Sequence, residues 1–410
     1  MAPSLLWSLT GRMIQTPTIR SPLSGAASPL NVHEPIRSSD RRPFIDNLRS
    51  SLLFLVVAFH TTITYSHIGS WYYKEPARVD GVSAVAFFTF EAHCQAFFMG
   101  LLFLLAGYFV PDAFDRKGCR RFLRDRFIRL GVPSLVYIFI IQPVLQHFLL
   151  HFGDSFLGYY RGYLLSGDVF TGSGPMWFAL ALLIFSLVYA LLRTIQPSNG
   201  HAPRRAVPGP RVLLIAGLAM GAVSFLVRLV QPMGSNVLNM QLCFFTQYIM
   251  LFVVGIAAAR NGWLEHLPTH LGYTILAGAV VLSPAAFIAV IIPGGFLQNG
   301  LSPFLGGWQW QSAAYAFWEQ MACVALCTGM LVLFREKFCG GGRLSKLLAK
   351  DSFGIYFLHP PVVVAVTQAF GWLRLPPLVK AIVMVPIAYL SVLTFVYFGA
   401  RRIPGLKRLL

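Results

Sequence analysis

Arg49 and His60 stand eleven residues apart in the stretch FIDNLRSSLLFLVVAFH, residues 44–60, and nearly everything between them is apolar. On a helix, eleven residues rise about 16 Å and turn about 1,100°, roughly 20° past three full turns. Both side chains therefore share one helix face. A guanidinium can grip a phosphate with two parallel hydrogen bonds. A neutral imidazole can take a proton from a hydroxyl and hand it to a leaving group. Together they suit a reaction in which a phosphate-bearing donor enters at the Arg49 end and its far end reaches His60. The plainer reading makes Arg49 a charged anchor at a membrane edge and His60 a partner in an interhelical hydrogen bond. For Arg49 alone the anchor is favoured; for His60, an ionisable group inside an apolar helix points to function.

Other residues carry chemistry with less definition. Glu319, in FWEQ, falls about two turns into an apolar segment, where a carboxylate must find a partner or become neutral. It could orient the His60 imidazole as a triad acid does, or pair with a structural arginine such as Arg228. Glu91 and His93 are reserves for either role. His359 precedes Pro360 and Pro361, and two prolines predict a helix whose hydrogen-bond ladder is broken. That break either lines a donor tunnel or only shapes packing. The segment RKGCRRFLRDRFIRLGVP is the most basic in the chain, and Arg126 and Arg129, three apart, share a helix face. They could bind the phosphates of a donor or anchor to anionic lipid. Trp177 reads as an interfacial belt residue, and the GSWYY cluster at 69–73 as either a sugar-stacking surface or a membrane anchor. No Gly-rich phosphate loop, metal-spaced Cys/His cluster or nucleophile elbow is present.

The elements that must position these groups follow from composition. The 410 residues are 56% hydrophobic and only 12% charged, with a mean hydropathy of +0.63. Apolar blocks of about 20 residues are long enough to cross a bilayer as helices. The fold class is therefore all-α, a polytopic membrane protein with about ten transmembrane helices. The expected spans lie near 49–66, 86–109, 130–150, 175–193, 211–230, 241–259, 271–292, 312–334, 352–370 and 378–398. The net charge of +18 sits between these blocks, as topology signals do, rather than in a nucleic-acid-binding patch. With both termini placed in the cytoplasm, 27 of the 33 Lys and Arg fall on that side. The other six are Lys74, Arg78, Arg161, Arg228, Arg374 and Lys380. Residues 1–42, rich in Ser, Pro and Arg, read as a disordered leader with a weak likeness to an organellar transit peptide, and 43–410 as the membrane domain. The six cysteines call for neither a disulfide nor a metal.

The order IDNLR, R-x10-H, GSWYY, QAFFMGLLFLLAGYF, RDRFIRLGVP, GPMWFALALLIFSLVYAL, QYIMLFVVGIAAARNGWL, WQSAAYAFWEQ, GIYFLHPPVVV and RRIPGLKRLL resembles the membrane-bound acyltransferase-3 family, in its glucan biosynthesis protein C-like branch. The likeness runs from about residue 43 to the C-terminus. It departs at Ala106, where many members carry a serine, and in the long leader. It implies a ten-span enzyme moving an acyl group, acetyl or succinyl, from acyl-CoA to a hydroxyl on a sugar or glycan. His60 would be the catalytic base with Glu319 as its candidate partner. Arg49, Arg126, Arg129 and His359 would form the donor site. Acyl-CoA is a co-substrate, and no metal or other cofactor is called for. The partners are then the donor, a carbohydrate acceptor and the bilayer, with no nucleic acid. The membrane itself, bacterial inner, endomembrane or plasma, is left open. The rival from another class is a transporter or glycan exporter without chemistry. A rival within enzymes is an O-acylating membrane enzyme in which the late histidine, His359, is the base.

Overall fold

Apolar runs punctuated by Gly, Pro and charge become helices throughout. The computed structural model describes residues 42–196 and 204–402; the leader, part of the 196–211 linker and the last eight residues lie outside the described residues. Ten long helices are labelled in chain order. They are α1 Pro43–Ser66, α2 Gly81–Tyr108, α3 Cys119–Leu149, α4 Trp177–Ile195, α5 Pro210–Val230, α6 Phe245–Asn261, α7 Thr269–Ile291, α8 Trp310–Lys337, α9 Arg343–Ala369 and α10 Pro377–Thr394. Among the described residues there is no β-strand, only an isolated bridge between Val237 and Met240. Among the described residues, nine helical segments are long and apolar enough to cross a membrane. The remaining long helix, α9, has 27 residues. Arg343, Lys346, Lys350, Asp351, His359 and two prolines make it less apolar. The protein is an all-α, multi-pass membrane protein.

Burial sorts the helices. In their most apolar stretches the α2 segment is 78% buried and α1 and α8 are 67% buried, against 17% for α7 and 28% for α5 and α10. The first three form the centre; the others turn apolar side chains outward, as lipid-facing helices do. α1 packs on α2, α9 and α10, and α2 packs on α6 and α8. The α2–α6 seam is a backbone contact. A Cβ on Gly107 would strike the Phe252 carbonyl, and one on Gly255 would strike the Leu104 carbonyl. Small residues that let two helices touch are the usual means of association in lipid, where apolar burial alone gives little drive.

One sequence expectation changes here. The third helix starts at Cys119 rather than near 130, so the basic stretch is itself helical, interrupted only at Gly118 (φ 73°) between Val110–Lys117 and α3. Within α3, the N–H of Val132 bonds the Phe127 carbonyl and that of Gln142 bonds the Tyr137 carbonyl, each five residues back and just before a proline. The wider turn gives each proline ring room against the carbonyl four residues earlier, so Pro133 and Pro143 sit inside a helix without ending it. Trp177, expected in the interfacial belt, stands half-buried at the start of α4 and stacks on Tyr248 at 5.6 Å.

Candidate active site

α1 begins with Pro43 in its first turn and an acidic residue, Asp46, near its N-terminus, both favourable there. Asn47 ties this end to the connection between α8 and α9: its Nδ2 donates to the Phe338 carbonyl at 2.6 Å and to that of Gly340 at 3.0 Å. Its Oδ1 accepts from the Ser345 hydroxyl. α1 and α9 are thereby set side by side. Arg49, half-exposed, forms an ion pair with Asp46 at 2.9 Å. Its Nε is buried with no hydrogen-bond partner.

Further along this contact His60 meets His359. The Nδ1 of His60 and the Nε2 of His359 are 3.1 Å apart, and the rings are stacked with centroids 5.0 Å apart. The ladder is interrupted here as the two prolines predict, yet α9 runs on through Pro360 and Pro361. Pro360 has no N–H, so the carbonyl four residues earlier, that of Tyr356, loses its ladder partner. The imidazole of His359 takes that carbonyl, with Nδ1 at 2.7 Å from it. The HPP sequence thus satisfies its own orphan acceptor.

This bond fixes both imidazoles. A carbonyl only accepts, so Nδ1 of His359 carries the proton and, in the neutral ring, Nε2 is a lone pair. His60 Nδ1 must then be the donor across the 3.1 Å contact. The lone pair of His60 falls on Nε2, the nitrogen left for substrate. His359 has spent both nitrogens, which argues against it as the base. Pro360→Ala restores an N–H that competes for the Tyr356 carbonyl. Turnover is expected to fall about fivefold, the worth of roughly one hydrogen bond, with the melting temperature unchanged or raised; steady-state rates beside a thermal melt check this.

A third ring completes the site. Trp71 lies over His60 at 4.3 Å between centroids and 20° between planes, and runs nearly parallel to His359 at 6.2 Å and 10°. It comes from the 67–80 connection, which the structure fastens at many points. α1 ends at His67 in the left-handed region (φ 61°). The His67 Nε2 lies 2.6 Å from the Glu75 carbonyl, and the Glu75 N–H returns to the Thr64 carbonyl at 2.9 Å. Lys74 donates to the carbonyls of His67 and Gly69. The Glu75 carboxylate holds buried Lys380 of α10 at 2.8 Å through both oxygens. The Tyr72 hydroxyl sits 3.1 Å from that of Tyr137 and donates to Gln142 Oε1 at 2.5 Å. At the far side Asp80 caps α2, accepting from the Ser83 N–H and hydroxyl, which hold its carboxyl below the usual range.

A family model described as an acyltransferase domain, that of acyltransferase-3, matches residues 42–401. The chain belongs to this acyltransferase-3 family. Similar curated proteins are named glucans biosynthesis protein C. That of Salmonella gallinarum is 26% identical over 267 residues, and those of Salmonella schwarzengrund and Salmonella paratyphi A are 25% identical over 267 and 268. The matches cover 62% of this chain and 66% of each relative, so the chain spans just under two thirds of the length of the relatives it matches. No solved structure matches.

Within this acyltransferase-3 chain the remaining expected site residues separate from the histidine pair. The contact foreseen between Glu319 and His60 is not formed. Glu319 Oε2 accepts from Arg228 Nη2 at 2.6 Å and from Gln320 Nε2 at 2.8 Å, and both members of the ion pair are fully buried. A guanidinium in the same apolar interior outcompetes an imidazole that already has a partner. The position next to His60 belongs to His359, which the sequence had assigned to a donor-tunnel wall. Arg126, beside Arg129 on α3, lies over the Phe122 ring at 5.1 Å, and α3 packs on α4. Glu91 is buried facing Thr62 and Ser66 of α1, while His93 contacts Ser283 and the Thr89 carbonyl. Among the described residues, no group of three or more His, Cys, Asp or Glu is placed to hold a metal ion.

Sequence reasoning missed Trp71 as a neighbour of His60. Eleven residues and a helix end separate the two, and no periodicity carries across such a turn. The coupling of His359 to Tyr356 was legible in principle, since a histidine just before a proline sits three residues after the carbonyl which that proline leaves free.

Proposed function

We propose that this chain transfers an acyl group from an acyl-CoA to a hydroxyl of a carbohydrate, with His60 as general base. The observation that carries the reading is the His60–His359 contact: it leaves one unprotonated imidazole nitrogen, Nε2 of His60, inside the membrane domain of a chain of this family. The carbohydrate acceptor rests on the name of the similar proteins, glucans biosynthesis protein C. In this reading the termini and the Arg49 end of α1 face the cytoplasm, in line with the distribution of Lys and Arg. Arg49, with its unspent Nε, and Arg126 and Arg129 at the start of α3 would meet the donor phosphates. The pantetheine arm would run along the α1–α9 contact, and the acceptor would approach from the Trp71 side.

The acceptor hydroxyl gives its proton to His60 Nε2 as its oxygen bonds to the thioester carbon. His359 holds His60 Nδ1 and spreads the charge of the imidazolium that forms. When the carbon–sulfur bond breaks, the thiolate takes the proton back from His60. A route through an acyl-imidazole would use the same nitrogen as nucleophile.

The test uses purified protein in nanodiscs, with release of free CoA thiol followed from acetyl-CoA and succinyl-CoA, with and without linear glucan oligosaccharides. Thiol release that depends on the acceptor, with matching ester on the glucan, is the expected result. Folded protein that releases no thiol from either donor would overturn the reading and turn attention to transport.

A further inference from the structure

Acyl transfer places negative charge on the thioester oxygen as the acceptor adds, and a site that speeds it needs a hydrogen-bond donor fixed beside that oxygen. Around His60 and His359 the donors are nearly all spent. Both nitrogens of His359 are engaged, His60 Nδ1 is engaged, and the Tyr356 hydroxyl donates to the Pro175 carbonyl. The indole of Trp71 differs. Its Nε1 is sealed from solvent and has no hydrogen-bond partner, although its ring is stacked on His60 at 4.3 Å. An indole N–H can only donate. Leaving such a donor buried and unpaired forfeits its hydrogen bonds to water with nothing in exchange, so it calls for a partner that arrives with the substrate.

The surroundings suit that role. A donor that stabilises developing charge works best when it need not move during the reaction. The segment carrying Trp71 is tied to α10 through Glu75 and Lys380, to α1 through Thr64, and to α3 through Tyr72 with Tyr137 and Gln142. The indole is thus held against the base from three helices. Of the buried unpartnered side-chain donors among the described residues, it is the one whose ring stacks on His60.

We infer that the Trp71 indole N–H is the oxyanion donor of the acyl transfer, a catalytic residue supplied by the 67–80 connection. The inference rests on the acyl-CoA reading above. As the acceptor oxygen bonds to the carbonyl carbon and its proton passes to His60, the carbonyl electron pair moves onto oxygen, and Trp71 Nε1–H binds that oxyanion. The pair returns as the carbon–sulfur bond breaks, and the bond to Trp71 weakens with the neutral ester.

The test compares wild type and Trp71→Phe, full chains in nanodiscs, since phenylalanine keeps one aromatic ring against His60 while the N–H is lost with the second ring of the indole. The thiocarbonyl comparison below separates the lost donor from the lost packing. The expected result is a fall in kcat of about 100-fold or more, the usual loss for one oxyanion donor. KM for donor and acceptor should stay within about twofold, the pattern of an interaction made only in the transition state. A second measurement replaces the donor carbonyl by thiocarbonyl, a weaker hydrogen-bond acceptor, using the dithioester of coenzyme A. Wild type should be slowed far more by this change than Trp71→Phe. Equal slowing, an unchanged kcat, or a loss seen only as a raised KM for the acceptor would overturn the inference while leaving the acyl-CoA reading intact. No turnover by wild type with either donor would overturn both.

Discussion

His60→Ala is expected to reduce acyl transfer by about 10²- to 10⁴-fold, the range that a positioned general base contributes. The variant should still insert and melt like wild type, because His60 is only partly buried and its hydrogen bond to His359 joins two side chains at a net worth of about 1 kcal/mol. Donor binding, read by isothermal titration with a non-hydrolysable thioether analogue of acyl-CoA, should survive, since the phosphates are assigned to Arg49, about 16 Å along α1 from His60, and to Arg126 and Arg129 of α3. His359→Phe is the informative companion. It keeps a flat ring in the stack but frees His60 Nδ1, so the base is present and poorly held. An intermediate loss, smaller than for His60→Ala, is the expected order. The reverse order would transfer the role of base to His359.

The second large effect concerns stability. Arg228 and Glu319 are both fully buried, joined at 2.6 Å, with Arg228 also facing the rings of Tyr315 and Phe244. Removing one partner leaves an unpaired charge where no water can reach it, which costs about 3–5 kcal/mol in comparable interiors. Arg228→Met and Glu319→Leu are each expected to lower the melting temperature in detergent sharply. The double variant should recover much of the loss, because it removes both charges at once. A Glu319→Gln protein that stays folded should keep the pH–rate profile of wild type. A profile displaced in that variant would show that Glu319 acts on His60 after all.

How much of this was open to the sequence depends on the distance over which a signal acts. Helix positions came from runs of apolar residues, a local signal, and the structure extends them mainly where charge obscured it: α1 starts at Pro43 rather than 49, and α3 at Cys119 rather than 130. The Arg49–His60 face was legible because both lie on one helix. The partner of Glu319 was legible only as alternatives, since pairing depends on which helices touch; α8 packs on α5, the helix of Arg228, and that settles it. Trp71 and His359 reach His60 from a loop and from a helix 299 residues on, and no pattern within one helix reports such a meeting.

That span of sequence also sets a schedule for synthesis. Membrane helices insert first and associate afterwards. A ribosome adding about 5–20 residues per second delivers Gly255 to its place against Leu104 roughly 7–30 s after α2 is made. The His60–His359 meeting waits roughly 15–60 s after α1, until the ninth helix has entered. The nascent chain therefore holds a seated α2–α6 pair while its imidazole is still unoriented. A half-made copy can be anchored and partly assembled in the bilayer, yet carry no oriented base with which to consume acyl donors.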